Sequence, residues 1–79
     1  MTFQEFVNIA PTLDGKTITV VHNGLMANGT YHFPPGKTCG NLIELNNVEF
    51  FKNGYPVNFP PRCDNYSILK EDIEKIIIE

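Results

Sequence analysis

Two stretches of this chain carry the same residue types in the same order. Phe33-Pro34-Pro35-Gly36-Lys37-Thr38-Cys39-Gly40-Asn41 is echoed by Phe59-Pro60-Pro61-Arg62-Cys63-Asp64-Asn65: an aromatic, two prolines, a cation, a cysteine and an asparagine. Proline fixes its own backbone torsion, so a diproline segment presents its neighbours at low entropic cost. Loops on rigid scaffolds are where binding groups concentrate. Aromatic faces, ammonium and guanidinium groups and side-chain amides suit recognition rather than bond making. The candidate binding residues are therefore Phe33, Lys37, Asn41, Phe59, Arg62 and Asn65. A plainer account competes: prolines end two strands, and the cysteines fill small gaps.

Other constellations are weaker. Cys39, Cys63, His22 and His32 are the residue types of some zinc sites, but no pair has the close spacing of a finger or knuckle. No metal and no cofactor is expected. The cysteines read as free thiols, able to bridge on oxidation only if their loops are neighbours. His22 and His32 each follow an apolar run and read as surface or half-buried residues. Gly-Lys-Thr occurs at Gly15 and Gly36, yet Ala10 and Tyr31 stand where a phosphate-cradling loop needs its first glycine. Neither cysteine has a histidine close in sequence, and Glu44 and Glu49 read as solvated carboxylates across a hairpin. No catalytic residues are assigned, and the chain is not expected to be an enzyme.

Size and charge narrow the classes further. At 79 residues, 42% hydrophobic and 19% charged, the chain has room for one small domain. A domain of that size leans on a disulfide, a metal or a partner subunit. Its net charge is −3, and Lys16, Lys37, Lys52, Arg62, Lys70 and Lys75 are scattered. Duplex DNA, which rewards clustered cations through counterion release, is excluded as a partner. No apolar run suits a membrane helix, so no membrane is expected either. The N-terminal residues show neither a basic region nor an apolar stretch, and the expected compartment is the cytoplasm.

The elements that must position the loops are mostly strands. Phe3, Phe6, Val7 and Ala10 recur at helical spacing, with Thr2 and Glu5 placed for a capping box and Pro11 as a stop, which predicts a helix over 3–10. β-Branched and alternating stretches predict strands over about 16–22, 29–33, 41–46, 48–52 and 66–78, the last folded at Glu71-Asp72. Asn23-Gly24, Asn28-Gly29, Asn46-Asn47 and Asn53-Gly54 are read as turns. Tyr55 to Asn65, with three prolines, is read as an irregular loop. Leu69, Ile73, Ile76 and Ile77 would also fit a helix face, but four isoleucines in the last seven residues favour strand.

This order resembles the Sm-like fold: a short N-terminal helix followed by a five-stranded, bent, antiparallel barrel. A generic SH3-like barrel has nearly the same pattern. Gly15-Lys16-Thr17-Ile18-Thr19-Val20 is similar to the family's first strand, and Asn23-Gly24 to the turn after it. Gly29 sits where the family often bends its second strand. Gly40-Asn41-Leu42-Ile43-Glu44-Leu45 is similar to the third strand, and Ile68 to Ile73 stands in place of the family's second motif. The family's arginine-glycine pair is replaced by Lys70-Glu71, and its acidic residue before the asparagine by Pro34-Pro35-Gly36. The resemblance implies a base contact for Asn41 but not the arginine's role, and it puts the two diproline loops on one rim.

The resemblance also implies assembly. Sm-like rings form by edge pairing of strands, and Ile76-Ile77-Ile78 needs cover on both faces or a partner along its edge. A homo-oligomer using Ile73, Ile76 and Ile78 is expected. The acidic balance and the missing arginine favour a protein partner at the diproline rim, in the manner of small phage or mobile-element inhibitors of host machinery. The alternative is an Sm-like oligomer that binds or sequesters a nucleotide or short single-stranded RNA there.

Overall fold

A computed structural model describes residues 1–33, 41–57 and 63–78. Helix α1 spans Phe3–Ile9 and continues into a 3-10 turn at Ala10–Leu13 that has proline at its start. The capping box forms: Thr2 Oγ1 accepts the Glu5 N–H at 3.2 Å, and Glu5 Oε1 accepts the Thr2 N–H at 2.9 Å. That backbone hydrogen bond from Thr2 is the main cause holding the Glu5 carboxyl below its ordinary pKa. Seven residues make too short a helix to stand alone. Its anchor is Phe6, fully buried edge-on against Tyr31 with ring centroids 4.9 Å apart.

Among the described residues six strands follow: β1 Thr17–His22, β2 Leu25–Tyr31, β3 Leu42–Lys52, β4 Tyr55–Val57, β5 Cys63–Leu69 and β6 Ile73–Ile78. Another 3-10 turn, Lys70–Asp72, joins the last two. All pairings are antiparallel, in the order β4-β3-β2-β1-β6, and β5 also pairs with β3. Inward positions Ile18, Val20, Ala27, Ile43, Leu45, Val48, Phe50, Ile68 and Ile76 build the core with Phe6, Ala10 and Leu13. Among the described residues no helix is long and apolar enough to cross a membrane.

The strand boundaries correct several sequence expectations. Asn46-Asn47 is not a hairpin turn: β3 runs through it as one strand of 11 residues. Between Asn28↔Glu49 and Thr30↔Asn46, Gly29 alone faces both Asn47 and Val48, a bulge with Asn47 at φ 56°. The inward set accordingly changes phase, from Ile43 and Leu45 to Val48 and Phe50. Gly29 is required opposite the bulge, since a Cβ there would lie 2.8 Å from the Asn46 carbonyl oxygen and 3.0 Å from Val48 Cγ2. Asn28-Gly29 therefore lies inside β2, which starts at Leu25 rather than at 29. Glu44 and Glu49 lie on one strand, facing Ser67 and Asn28, and not across a hairpin.

Part of the segment read as an irregular loop is also strand. β4 and the first residues of β5 both pair with β3, on the side away from β2. Phe50 faces Val57 and Val48 faces Cys63.

Candidate functional site

The strongest candidate lies where β2 ends and β3 begins. The β1–β2 ladder runs one step past its last strand pair, with Tyr31 N–H donating to Lys16 C=O at 2.8 Å and Gly15 N–H to Tyr31 C=O at 2.9 Å. His32 N–H then reaches Glu44 C=O at 3.1 Å. At Phe33 a side chain replaces the strand as acceptor: Asp14 Oδ1 takes the Phe33 N–H at 3.0 Å. The same carboxylate oxygen lies 3.8 Å from His32 Nδ1, with both side chains about half exposed. Phe33 is half-buried and packs against the core. Its position is thus fixed from both β1 and β3.

Across this rim, Lys70 N–H donates to Asn41 C=O at 2.8 Å. That bond extends the β3–β5 ladder one step beyond Leu42↔Leu69 and ties the start of β3 to the 3-10 turn before β6. The Asn41 and Lys70 side chains are both exposed. Leu69 is 48% exposed, a large apolar side chain on the same face as half-buried Leu42. An exposed amide and an ammonium group thus belong to residues joined through their backbones. An asparagine amide both donates and accepts, which suits the edge of an unpaired base. A lysine offers phosphate a point charge, without the two-pronged geometry of arginine.

The residues expected to form one rim divide. Phe33 and Asn41 belong to the site just described. Asn65 is exposed but pairs with Asn46, four ladder positions from the Leu42↔Leu69 pair and roughly 13 Å of extended chain away. Lys37, Phe59 and Arg62 lie outside the described residues, as does Cys39, and with it any approach of the two cysteines. Both diproline segments lie outside the described residues. Asp14, His32, Leu69 and Lys70 enter the site instead. Lys70 was legible as the counterpart of the family's arginine, whereas Asp14 gave no signal, because its contact with Phe33 spans 19 residues.

His22 departs from its expected place. It is 4% exposed, not a surface residue, and sits at the end of the β1–β2 hairpin opposite His32. Its Nε2 lies 3.4 Å from the Tyr66 hydroxyl, and Tyr66 in turn stands edge-on to Phe50. Burial lowers the His22 pKa, against smaller raising effects of Asp72 and Glu74.

The isoleucines expected at an oligomer edge also separate. The Ile76 side chain is buried, whereas Ile73 and Ile78 are half-buried and packed against the core.

No protein-family model and no curated protein sequence matches the chain. The fold does match solved structures. One is the Pyrococcus abyssii Sm protein in complex with a uridine heptamer, with a TM-score of 0.70 at 15% identity over 91% of this chain and 94% of that one. The fold is Sm-like: mainly β, with a short N-terminal helix and a bent antiparallel sheet.

Proposed function

We propose that this Sm-like chain is a non-catalytic RNA-binding protein that holds short single-stranded RNA at the rim formed by Phe33, Asn41 and Lys70. The observation that carries this is the Lys70 N–H bond to Asn41 C=O, which brings an exposed amide and an exposed cation together. The Sm protein with the matching fold is bound to a uridine heptamer, which favours RNA over the protein-partner and inhibitor readings. In this account Asn41 bonds to a base edge, Lys70 meets a phosphate and Phe33 offers a ring for stacking. The net charge of −3 opposes phosphate at long range, so these local contacts carry the affinity.

Assembly is part of the same proposal. Among the described residues β5 pairs only with β3 and β6 only with β1, so each has an outer edge without a strand. Two different strand edges, neither paired with a further strand, suit head-to-tail pairing of identical copies, closing as a ring.

The test is fluorescence anisotropy with a labelled seven-nucleotide oligouridine at several salt concentrations. Lys70→Ala should weaken binding and flatten the log–log salt slope by about 0.7, the loss of one single-strand phosphate contact. Asn41→Ala should weaken binding without changing that slope. If both variants bind as the parent does, the rim is not the site. If the parent leaves the oligonucleotide free, the protein-partner reading regains its place.

A further inference from the structure

The edge of β6 is not empty. The Met1 α-ammonium donates to Ile76 C=O at 2.7 Å, and Ile76 N–H donates back to Met1 C=O at 3.1 Å. This reciprocal pair is the hydrogen-bonding unit of an antiparallel ladder. Ile76 faces Val20 across the β1–β6 pairing, yet its own N–H and C=O both go to Met1, so they point to the outer side of β6. Met1 therefore occupies, as a one-residue strand, the centre of the edge that another copy would need. Its placement has support behind it. The helix α1 packs against β6, and its Phe3 and Phe6 rest on the core.

We infer that Met1 is an intramolecular latch on the β6 edge, so that assembly through β6 requires Met1 to let go. The competing occupant is the outer edge of β5 in a second copy of this chain. That strand, Cys63–Leu69, is seven residues long and, among the described residues, pairs only with β3. Both occupants need the same N–H and C=O of Ile76, so they exclude each other. The latch gates self-association without closing the Asn41–Lys70 rim, which lies at the far end of the 3-10 turn from β6. This inference rests on the edge-pairing part of the proposed function.

The test compares the full chain with a chain beginning at Phe3, released from an N-terminal fusion, by sedimentation velocity over a range of concentrations. Thr2→Ala in the full chain loses the capping hydroxyl but keeps Met1, and so controls for a weakened helix. The shortened chain is expected to associate at a concentration on the order of tenfold lower than the full chain, matching the loss of two competing backbone hydrogen bonds. Thr2→Ala is expected to follow the full chain, and the Ile76 amide should exchange with solvent faster in the shortened monomer. Equal association of full and shortened chains would overturn the latch while leaving edge pairing intact. Association of Thr2→Ala at the same low concentration as the shortened chain would also overturn it, since the helix cap would then be the cause. Monomers at every concentration in all three proteins would refute edge pairing and the latch together.

Discussion

Replacing Gly29 by alanine should cost this fold roughly 1–3 kcal/mol, because the strand opposite leaves no room for a methyl group. The new Cβ would sit 2.8 Å from the Asn46 carbonyl oxygen and 3.0 Å from Val48 Cγ2. The oxygen belongs to the backbone and cannot rotate away, so β2 or the bulge of β3 must move. Gly29 is not among the glycines with positive φ, so the cost is steric rather than torsional. Loss of glycine's freedom in the unfolded chain returns roughly 0.4–1 kcal/mol, which the clash must exceed. For a domain of this length each kcal/mol moves Tm by roughly 4–8 °C, so a net loss of about 2 kcal/mol lowers it by roughly 8–16 °C. Circular dichroism melts of the parent and Gly29→Ala read this directly. Asn47→Gly, at φ 56°, is the companion variant and should melt at or slightly above the parent, since glycine takes that torsion without strain. A Gly29→Ala melt within about 2 °C of the parent would refute the close approach of β2 to the bulge.

Phe6→Ala should remove roughly 3–5 kcal/mol, as for other buried phenylalanines, and leave a large unfolded fraction in urea titrations at room temperature. Acid should weaken the fold through His22. Burial holds its folded pKa below the ordinary 6.5, so the unfolded chain takes up the proton first. Stability is therefore whole above about pH 6.5 and is lost as pH falls from there toward the folded value. Urea midpoints should drop between about pH 7.5 and pH 5.5 in the parent and drop less in His22→Gln. Tyr66→Phe, which removes the hydroxyl facing His22 Nε2, should cost roughly 0.5–1.5 kcal/mol at neutral pH in the same assay.

Much of the architecture could be read from local chemistry. The capping box of Thr2 and Glu5, the stop at Pro11 and the turn at Asn23-Gly24 depend on residues within a few positions of one another, and the structure has them all. The errors share a cause as well. A turn and a bulge both use a residue tolerant of positive φ and both shift the phase of inward positions, so Asn46-Asn47 looked like either. What separates them is the identity of the facing strand: Gly29 opposite Asn47 and Val48 fixes a bulge. Likewise Tyr55 to Asn65, rich in proline, looked like loop throughout, yet β4 and the start of β5 within it both pair with β3. The role of Asp14 depends on a contact spanning 19 residues, beyond the reach of any local motif.

The central claim is that single-stranded RNA binds at the rim where Asn41 meets Lys70, and backbone amide chemical shifts recorded during titration with unlabelled oligouridine test it most directly. Binding there should move the resonances of Phe33, Asn41, Leu42 and Leu69 to Asp72, while those of the Asn53-Gly54 hairpin stay in place. Shifts concentrated at that hairpin, or none anywhere in the spectrum, would contradict it.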